Sequence, residues 1–280
     1  MLDSILAITG PTSGLGMSAV KSLVNEFDRI LLLCRNIEKG KHLKNELLEL
    51  NTQLYIDIIH CDLSDLSSVA AASKTIIEQY NQIDCLINNA GIISLTKKES
   101  VDGYDLMMAT NYLGPFLLTH YLLPLVMNSR RKQVVVVSSG AYKFAPMKEP
   151  FFQPTHFNPV TAYGKSKLGT LYLTQELHEK YSQQGIKTTA VHPGVVSTNI
   201  GKDNVSEKLG DLFFSVLDFM FITVEEGAAS IVSAVTSPEK YAGFYSHEGE
   251  IIPVKKHGDD FRMRRKFIDA TLEELGLNHL

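Results

Sequence analysis

The chain has 280 residues, which is long enough to bury a large core and is a common size for a single α/β domain. Its net charge is −4 and its basic residues are dispersed, so the sequence does not indicate nucleic-acid binding. Hydrophobic residues make up 44% and charged residues 21% of the chain, as in an ordinary soluble protein.

Short apolar runs alternate with segments of helical apolar spacing along the chain. They predict strands near residues 4–9, 29–34, 54–59, 84–87, 133–138 and 187–192, and a seventh short strand near 242–246. Such alternation indicates a doubly wound parallel sheet of the Rossmann type, with helices on both faces. No repeat or linker interrupts the pattern, so we expect residues 1–280 to form one domain.

A glycine-rich turn joins the first predicted strand to the first helix. Gly10 would allow a tight turn, Gly14 would let the backbone approach a pyrophosphate, and Gly16 would let the helix lie close to the sheet. The N-terminus of the helix would offer N–H groups to phosphates. A flexible surface turn is the alternative. The predicted dinucleotide contacts here are Gly10, Thr12, Ser13, Gly14, Leu15 and Gly16.

The second predicted strand ends at Arg35 and Asn36, where the type of dinucleotide is usually decided. An acidic residue at this place binds a free ribose 2′-hydroxyl, whereas an arginine accommodates a 2′-phosphate. The first acidic residue here is Glu38, already in the next helix. Arg35 therefore favours NADP(H) over NAD(H), and a solvated arginine at a strand end is the alternative.

Tyr163 and Lys167 are four residues apart, which places both side chains on one face if the segment is helical. A free tyrosine has a pKa near ~10, and a neighbouring cation favours the phenolate. The pair could then exchange a proton with a bound alcohol or carbonyl. Alone, this spacing also occurs by chance in many helices.

Taken together, the motifs resemble those of the short-chain dehydrogenase/reductase superfamily over nearly the whole chain. The resemblance becomes weaker after about residue 200. Within it, the chain is most similar to the branch of the retinol dehydrogenases and WW-domain oxidoreductases. The resemblance rests on Thr9-Gly-x-x-x-Gly-x-Gly16, Asp62-Leu63, Asn88-Asn-Ala-Gly91, Asn111, Ser138-Ser139, Tyr163-x-x-x-Lys167 and Pro193-Gly194. Local support for the branch comes from residues 33–36, 110–119 and 192–198.

The resemblance implies a catalytic group of four residues. Ser139 would bind the substrate oxygen, Tyr163 would exchange the proton, and Lys167 would lower the tyrosine pKa and bond the nicotinamide ribose. Asn111 would hold a water that links Lys167 to solvent, and Ser138 would be structural. The remaining cofactor contacts that it implies are Asp62, Leu63, Asn89, Ala90, Gly91, Pro193, Gly194, Val196 and Thr198, with Asn88 lining the adenosine side.

Two segments depart from the regular strand and helix pattern. Residues 140–160 contain four prolines and predict an irregular loop beside the active site. Residues 203–223 are dense in apolar side chains and lie where the family has its substrate lid, around 200–223. A lid would indicate a bulky apolar substrate. A core helix, a dimer contact or a shallow membrane contact are the alternatives.

The remaining features fit a soluble cytoplasmic protein. The three cysteines and nine histidines show no metal-ligand spacing, so we expect no metal and no disulfide. Neither a signal peptide nor an apolar stretch long enough to span a bilayer is predicted. The family often forms homodimers or homotetramers through helices around 102–128 and 161–185.

The sequence therefore predicts an NADP(H)-dependent carbonyl reductase or alcohol dehydrogenase acting on an apolar aldehyde, ketone or alcohol, such as a retinoid, steroid, quinone or lipid. Two alternatives stay open at this point. One is a cofactor-binding regulator or scaffold of the same fold without turnover. The other is an epimerase or dehydratase acting on nucleotide sugars, although such enzymes usually have a larger C-terminal substrate region.

Overall fold

The structure is a computed structural model that describes residues 4–153, 156–196, 221–243, 245–247 and 249–280. Its strands are β1 (Ile5–Thr9), β2 (Arg29–Cys34), β3 (Tyr55–His60), β4 (Cys85–Asn88), β5 (Gln133–Val137), β6 (Lys187–His192), β7 (Val195–Val196), β8 (Phe221–Ile222), β9 (Tyr245–His247) and β10 (Glu250–Ile252). The first helices are α1 (Gly14–Ser22), α2 (Ile37–Leu50), α3 (Leu66–Gln79), α4 (Leu106–Met108), α5 (Gly114–Met127) and α6 (Pro159–Tyr181). Further helices span Val224–Thr236, Pro238–Tyr241 and Phe261–Glu274, a π-helical segment spans Ala109–Leu113, and 3₁₀ turns span Gly140–Phe144, Ser182–Gln184 and Lys256–Asp259.

Eight of these strands form one sheet in the order β10-β9-β6-β5-β4-β1-β2-β3. All neighbouring strands in it are parallel except β9 and β10, which form an antiparallel edge. The strand order reverses between β1 and β4, and ligands of such sheets bind at the carboxyl ends of the strands beside this point. The predicted doubly wound α/β fold is confirmed. The strand predicted near 242–246 is β9, whereas β10 was not predicted.

Helices cover both faces of the sheet because its central strands are apolar on both sides. Ile5 and Ala7 of β1 pack with α3, α5 and α6, whereas Leu6 and Ile8 pack with α1, α2 and the helix Val224–Thr236. Successive side chains of a strand point to opposite faces, so one strand contributes to two cores. All five residues of β1 are buried. This rigid centre carries the loops in which the predicted site residues lie.

Helix α6 is the longest described helix and carries Tyr163 and Lys167. Asn158 caps its N-terminus, where the side-chain oxygen accepts a hydrogen bond from the Thr161 N–H at 3.0 Å. Pro159 occupies the first turn, where a missing N–H costs no helical hydrogen bond. The start of α6 is therefore set by local sequence.

The C-terminal helix Phe261–Glu274 packs on the outside of α6 and of the π-helical segment. The Phe267 ring is fully buried, with its centroid 4.8 Å from that of Tyr112 and 6.0 Å from that of Tyr172. Arg265 Nη1 donates to Glu176 Oε1 on α6 at 2.9 Å. This helix occupies part of the surface through which self-association was predicted, and the oligomeric state stays a prediction.

None of the helices in the described part of the chain combines the length and the hydropathy that a bilayer span requires. Within the same residues, no group of three or more His, Cys, Asp or Glu side chains is arranged to hold a metal ion. The cysteines Cys34, Cys61 and Cys85 are buried free thiols. Burial raises the pKa of Cys34 to about 11 and that of Cys61 to about 12, so these thiols are poor nucleophiles at neutral pH.

Candidate active site

The glycine turn after β1 has a geometry that requires glycine. Gly10 and Gly14 have φ values of +63° and +50°, in the left-handed region. A Cβ on Gly16 would lie 2.3 Å from the Gly10 carbonyl oxygen. A Cβ on Gly10 would lie 2.9 Å from the Cα of Ala90. The turn is thus packed directly against the chain that follows β4.

Polar contacts between β1 and the end of β4 hold this turn in place. The Thr9 hydroxyl accepts hydrogen bonds from the N–H groups of Asn89 at 3.0 Å and Ala90 at 3.1 Å. The Asn89 amide donates in return to the carbonyl oxygens of Thr9 at 3.0 Å and Gly10 at 3.1 Å. Both protons of that amide are used inside the protein, so the side chain of Asn89 shapes the turn rather than reaching outward.

The N-terminus of α1 follows directly after this packed turn. Ser13 is the N-terminal cap residue of α1, and it is exposed. In the part of the chain that the structure describes, the Ser13 side chain accepts no hydrogen bond from an N–H group of the helix. The first turn of α1 contains no acidic residue. A helix start of this kind attracts an anion, because unpaired N–H groups and the helix dipole both favour negative charge. Thr12 and Leu15, half-buried, lie beside it.

Arg35 follows β2 and extends into solvent. Its side chain is 74% exposed, and Nε lies 4.0 Å from Oδ2 of Asp62, a distance at which an exposed ion pair contributes little. Oδ1 of Asp62 accepts hydrogen bonds from the N–H and the hydroxyl of Ser64 at 3.0 and 2.6 Å. Asn36 caps α2 by accepting from the Lys39 N–H at 2.9 Å, and Leu63 is buried. Of the residues predicted here, Arg35 is therefore the one free to bind a phosphate.

Tyr163 and Lys167 lie on one face of α6, next to the loop after β5. The Lys167 Nζ is 5.8 Å from the centroid of the Tyr163 ring. It donates to the Val137 carbonyl oxygen at 2.8 Å, which anchors the ammonium group to the end of β5. The Ser139 side chain forms a hydrogen bond with Tyr163. The structure thus brings together the three side chains to which the sequence assigned the proton exchange.

The pKa of Tyr163 moves opposite to the direction expected from its neighbouring cation. Burial raises the pKa of Tyr163 to about 12, and the hydrogen bond with Ser139 lowers it only in part. Burial likewise lowers the pKa of Lys167 to about 8. The sequence argument included the charge of Lys167 and not the desolvation of the phenol, which is the larger effect in this structure.

Asn111 lies in the π-helical segment Ala109–Leu113, a type of irregularity that is frequent at functional sites. Its amide donates to Ile92 O at 3.0 Å and Ser166 Oγ at 2.9 Å, and its Oδ1 accepts from the Ile92 N–H at 2.8 Å. A Cβ on Gly91 would lie 3.3 Å from Lys167 Nζ and 3.4 Å from Asn111 Oδ1. Both polar atoms therefore approach the backbone of residue 91 closely, and a side chain there would be crowded.

The two serines after β5 have different surroundings. Ser138 is buried, donates to the Lys167 carbonyl oxygen at 3.0 Å, and accepts from Thr170 Oγ1 at 3.1 Å. Ser139 begins the 3₁₀ turn Gly140–Phe144, and its Oγ accepts from the Ala141 N–H at 3.2 Å while also contacting Tyr163. Ser138 therefore joins the end of β5 to α6, and Ser139 lies beside the Tyr163 phenol.

Pro193 and Gly194 follow β6, at the same edge of the sheet as the other predicted residues. Gly194 has a φ of +86°, and a Cβ there would lie 2.5 Å from the Ile222 side chain. Val196 lies in the short strand β7. Thr198 and most of the lid predicted around 200–223 lie outside the described residues.

Comparisons with known proteins agree with this arrangement. A sequence model of the family described as short chain dehydrogenase matches residues 4–209. The chain belongs to the short-chain dehydrogenase family. Retinol dehydrogenase 14 of Mus musculus is 30% identical over 294 residues, covering 99% of this chain and 87% of its own. Retinol dehydrogenase 11 of Homo sapiens is 29% identical over 276 residues, covering 98% and 86%.

Solved structures show the same fold. An uncharacterized protein from Mycobacterium paratuberculosis superposes with a TM-score of 0.78 at 24% identity, over 99% of this chain and 95% of that one. The NADPH-bound carbonyl reductase from chicken fatty liver superposes with a TM-score of 0.66 at 22% identity, over 90% and 98%. The resemblance to the retinol dehydrogenase branch is confirmed. The short-chain dehydrogenase is therefore an oxidoreductase of alcohols and carbonyls that uses a nicotinamide cofactor and a small substrate.

Sequence reasoning did not identify three polar residues of this region. Thr9 clamps the glycine turn, Ser166 accepts a hydrogen bond from Asn111, and His247 stacks on His192 with ring centroids 4.4 Å apart. The position of Thr9 immediately before Gly10 could have indicated its role. The contact between His192 and His247 depends on the pairing of two distant strands, which no local pattern shows.

Proposed function

We propose that this protein is an NADP(H)-dependent carbonyl reductase or alcohol dehydrogenase whose substrate is an apolar aldehyde or ketone, or the corresponding alcohol. The observation that carries the proposal is the meeting of Ser139, Tyr163 and Lys167 beside Gly91. A hydroxyl, a phenol and an ammonium group at one place are what the reversible protonation of a carbonyl oxygen requires.

The nicotinamide supplies or accepts the hydride when bound. Ser139 holds the substrate oxygen by a hydrogen bond and stabilises the negative charge that develops on it. Tyr163 donates its proton to that oxygen in reduction and accepts one in oxidation. The anchored ammonium of Lys167 stabilises the phenolate as it forms, since a buried negative charge is otherwise unfavourable. Asn111 joins the backbone of Ile92 to the Ser166 hydroxyl through its three hydrogen bonds.

The glycine turn after β1 and the exposed guanidinium of Arg35 support a dinucleotide cofactor that carries a 2′-phosphate. The turn around Gly10, Gly14 and Gly16 would accept the pyrophosphate at the start of α1. Arg35 would bind the 2′-phosphate, because its guanidinium is 74% exposed at the end of β2 and is held by Asp62 only weakly, at 4.0 Å. Asp62, the nearest carboxylate described there, already accepts two hydrogen bonds from Ser64.

An apolar substrate is supported by the side chains beside Tyr163. Ile93, Leu95 and Val160 are partly buried and pack together with Tyr163 around Ala141. They form an apolar wall next to the proton donor. The similarity to retinol dehydrogenases 11 and 14 supports a retinoid-like or other lipid-like carbonyl among the candidates. Self-association as a homodimer or homotetramer and a cytoplasmic location stay predictions from the sequence.

The test is NADPH oxidation followed by absorbance with a panel of retinoid, steroid, quinone and lipid carbonyls. Tyr163→Phe should lower kcat by at least about 100-fold while NADPH affinity stays within about twofold, because the phenol gives a proton and holds little of the cofactor. Tyr55→Phe is the matched control, since that tyrosine is 59% exposed on the edge strand β3. Tight NADPH binding without turnover on any substrate would instead support a cofactor-binding regulator.

The cofactor preference has its own test. Arg35→Asp should reduce the ratio of kcat/KM with NADPH to that with NADH by about 10- to 100-fold, because one charge-assisted contact with the 2′-phosphate is lost and a repulsion is gained. Arg130→Asp makes the same change of charge at an exposed position after α5 and should leave the ratio unaltered. An unchanged ratio in Arg35→Asp would refute the assignment of NADP(H).

A further inference from the structure

We propose that His192 and His247 act as a positioning pair that holds the two loops of the active site after β5 and β6. The inference rests on the proposed function for its kinetic test. Neither histidine touches a reacting atom in this scheme. Each acts through hydrogen bonds and packing on residues that do.

The two histidines end neighbouring parallel strands and face each other. His192 is the last residue of β6, His247 is the last of β9, and they are register partners. Their rings are stacked, with centroids 4.4 Å apart and planes inclined by 21°. The contact thus lies at the carboxyl ends of β6 and β9, on the side of the sheet where the predicted site residues lie.

The hydrogen bonds define the tautomers of both rings. The Gly194 N–H donates to Nδ1 of His192 at 3.3 Å, so this nitrogen is an acceptor and the ring proton is on Nε2. Nδ1 of His247 lies 2.8 Å from the His192 carbonyl oxygen, which can only accept, so Nδ1 of His247 carries a proton. His247 therefore binds the backbone of His192, whose ring in turn binds the backbone two residues later.

One imidazole ring reaches both loops. Gly194 belongs to the predicted nicotinamide-end turn and has a φ of +86°, a conformation that the bond to His192 supports. On its other side, the ring packs against Gly140, the residue after Ser139. A Cβ on Gly140 would lie 3.1 Å from Nε2 of His192. A change in the ring would therefore displace the turn after Pro193 and the backbone that carries Ser139.

His192 stays neutral under ordinary assay conditions. Burial, the adjacent His247 and the positive charges of Lys143 and Lys167 lower the pKa of His192 to about 3. Its Nδ1 is thus an acceptor throughout the range in which the enzyme would work. A protonated ring would donate at both nitrogens and could not hold the Gly194 N–H.

The experiment compares His192→Asn with His192→Leu. Asparagine places its Oδ1 near the position of Nδ1 and can accept from the Gly194 N–H, whereas leucine fills a similar volume without an acceptor. We expect His192→Leu to raise the Kd for NADPH and to lower kcat/KM, each by about tenfold. His192→Asn should restore both to within about threefold of the wild type. His42→Leu removes an exposed imidazole on α2 and is the control.

Hydrogen–deuterium exchange gives a readout that does not depend on activity. Peptides covering residues 139–144 and 193–196 should exchange faster in His192→Leu than in the wild type, and His192→Asn should restore the slower rate. Where His192→Leu does not fold, His247→Phe decides, because it keeps a stacked ring but loses the donor to the His192 carbonyl. Faster exchange of residues 193–196 in that variant is the expected result.

Two results would overturn the inference: unchanged exchange and NADPH affinity in both His192→Leu and His247→Phe, or equal defects in His192→Asn and His192→Leu. The second would mean that ring volume matters and the acceptor does not. Failure of the wild type to bind NADPH would remove the proposed function, and the exchange data would still decide whether the pair holds the two loops.

Discussion

Low pH should lower the unfolding free energy of this protein. Replacing His192 by asparagine should remove the part of this loss that comes from His192. His192 is 4% exposed, and its ring has a pKa of about 3 in the folded chain, against 6.5 for an unperturbed histidine. Between these two pKa values, His192 is mostly protonated in the unfolded chain and mostly neutral in the folded chain. Stability from this group is complete above pH 6.5 and is lost progressively as the pH falls towards 3.

The size of the effect follows from the two pKa values. At pH 5.5 nearly all unfolded molecules carry the proton on His192, and almost no folded ones do. Between pH 7.5 and 5.5 the wild type should then lose about 1.4 kcal/mol of unfolding free energy through this residue alone. The charges that face the ring are those of Lys143 and Lys167, and His247 is stacked on it.

Urea unfolding at pH 7.5 and 5.5 measures this loss, with far-UV circular dichroism as the probe because the chain has no tryptophan. His192→Asn should lose about 1.4 kcal/mol less than the wild type between the two pH values. His42→Asn, at an exposed position, should behave as the wild type. Repeating the comparison in a His247→Asn background removes any contribution from the stacked partner. Equal losses in the wild type and His192→Asn would refute the burial argument.

Two further predictions concern the cofactor turn and the buried lysine. Gly16→Ala places a Cβ 2.3 Å from the Gly10 carbonyl oxygen, so it should weaken NADPH binding at least about tenfold and lower the Tm. An NADPH affinity that is unaltered in fluorescence titrations would contradict the close packing of Gly16 on the turn. The pKa of Lys167 is lowered to about 8 by burial, so its charge is present below pH 8 and lost above it. The kcat/KM for carbonyl reduction should therefore fall above about pH 8, and a profile that is flat to pH 10 would show that this charge is not needed.

The central strands could be predicted from the sequence because strands buried on both faces are nearly continuous apolar runs. Gln133–Val137 is an example, since all five of its residues are buried. The edge strand β10 could not be predicted in this way. Its three residues include Glu250 and are at most half-buried, and a strand so short is defined by its partner β9 rather than by its own pattern.

The site shows the same division between local and long-range information. The spacing of Tyr163 and Lys167 predicted a shared helix face, and the order of glycines predicted the turn, since both depend on residues close in sequence. The stacking of His192 on His247 depends on the register of β6 with β9, and the two residues are 55 apart along the chain. The degree of burial of Tyr163 depends on the packing of the loop after Ser139, which only the folded chain defines.

The pKa values of Tyr163 and Lys167 suggest how this site divides its work between the two directions of reaction. Burial disfavours either charge alone, which raises the pKa of the phenol to about 12 and lowers that of the ammonium group to about 8. At pH 7 the phenol is protonated and the lysine still carries its charge. In the proposed reaction the proton donor for reduction is therefore ready in the resting protein, whereas oxidation would need a phenolate stabilised by an adjacent positive charge. Anchoring Lys167 to Val137 keeps that charge in place while the lysine is protonated, so the proposed oxidation should lose this stabilisation as the pH rises above about 8.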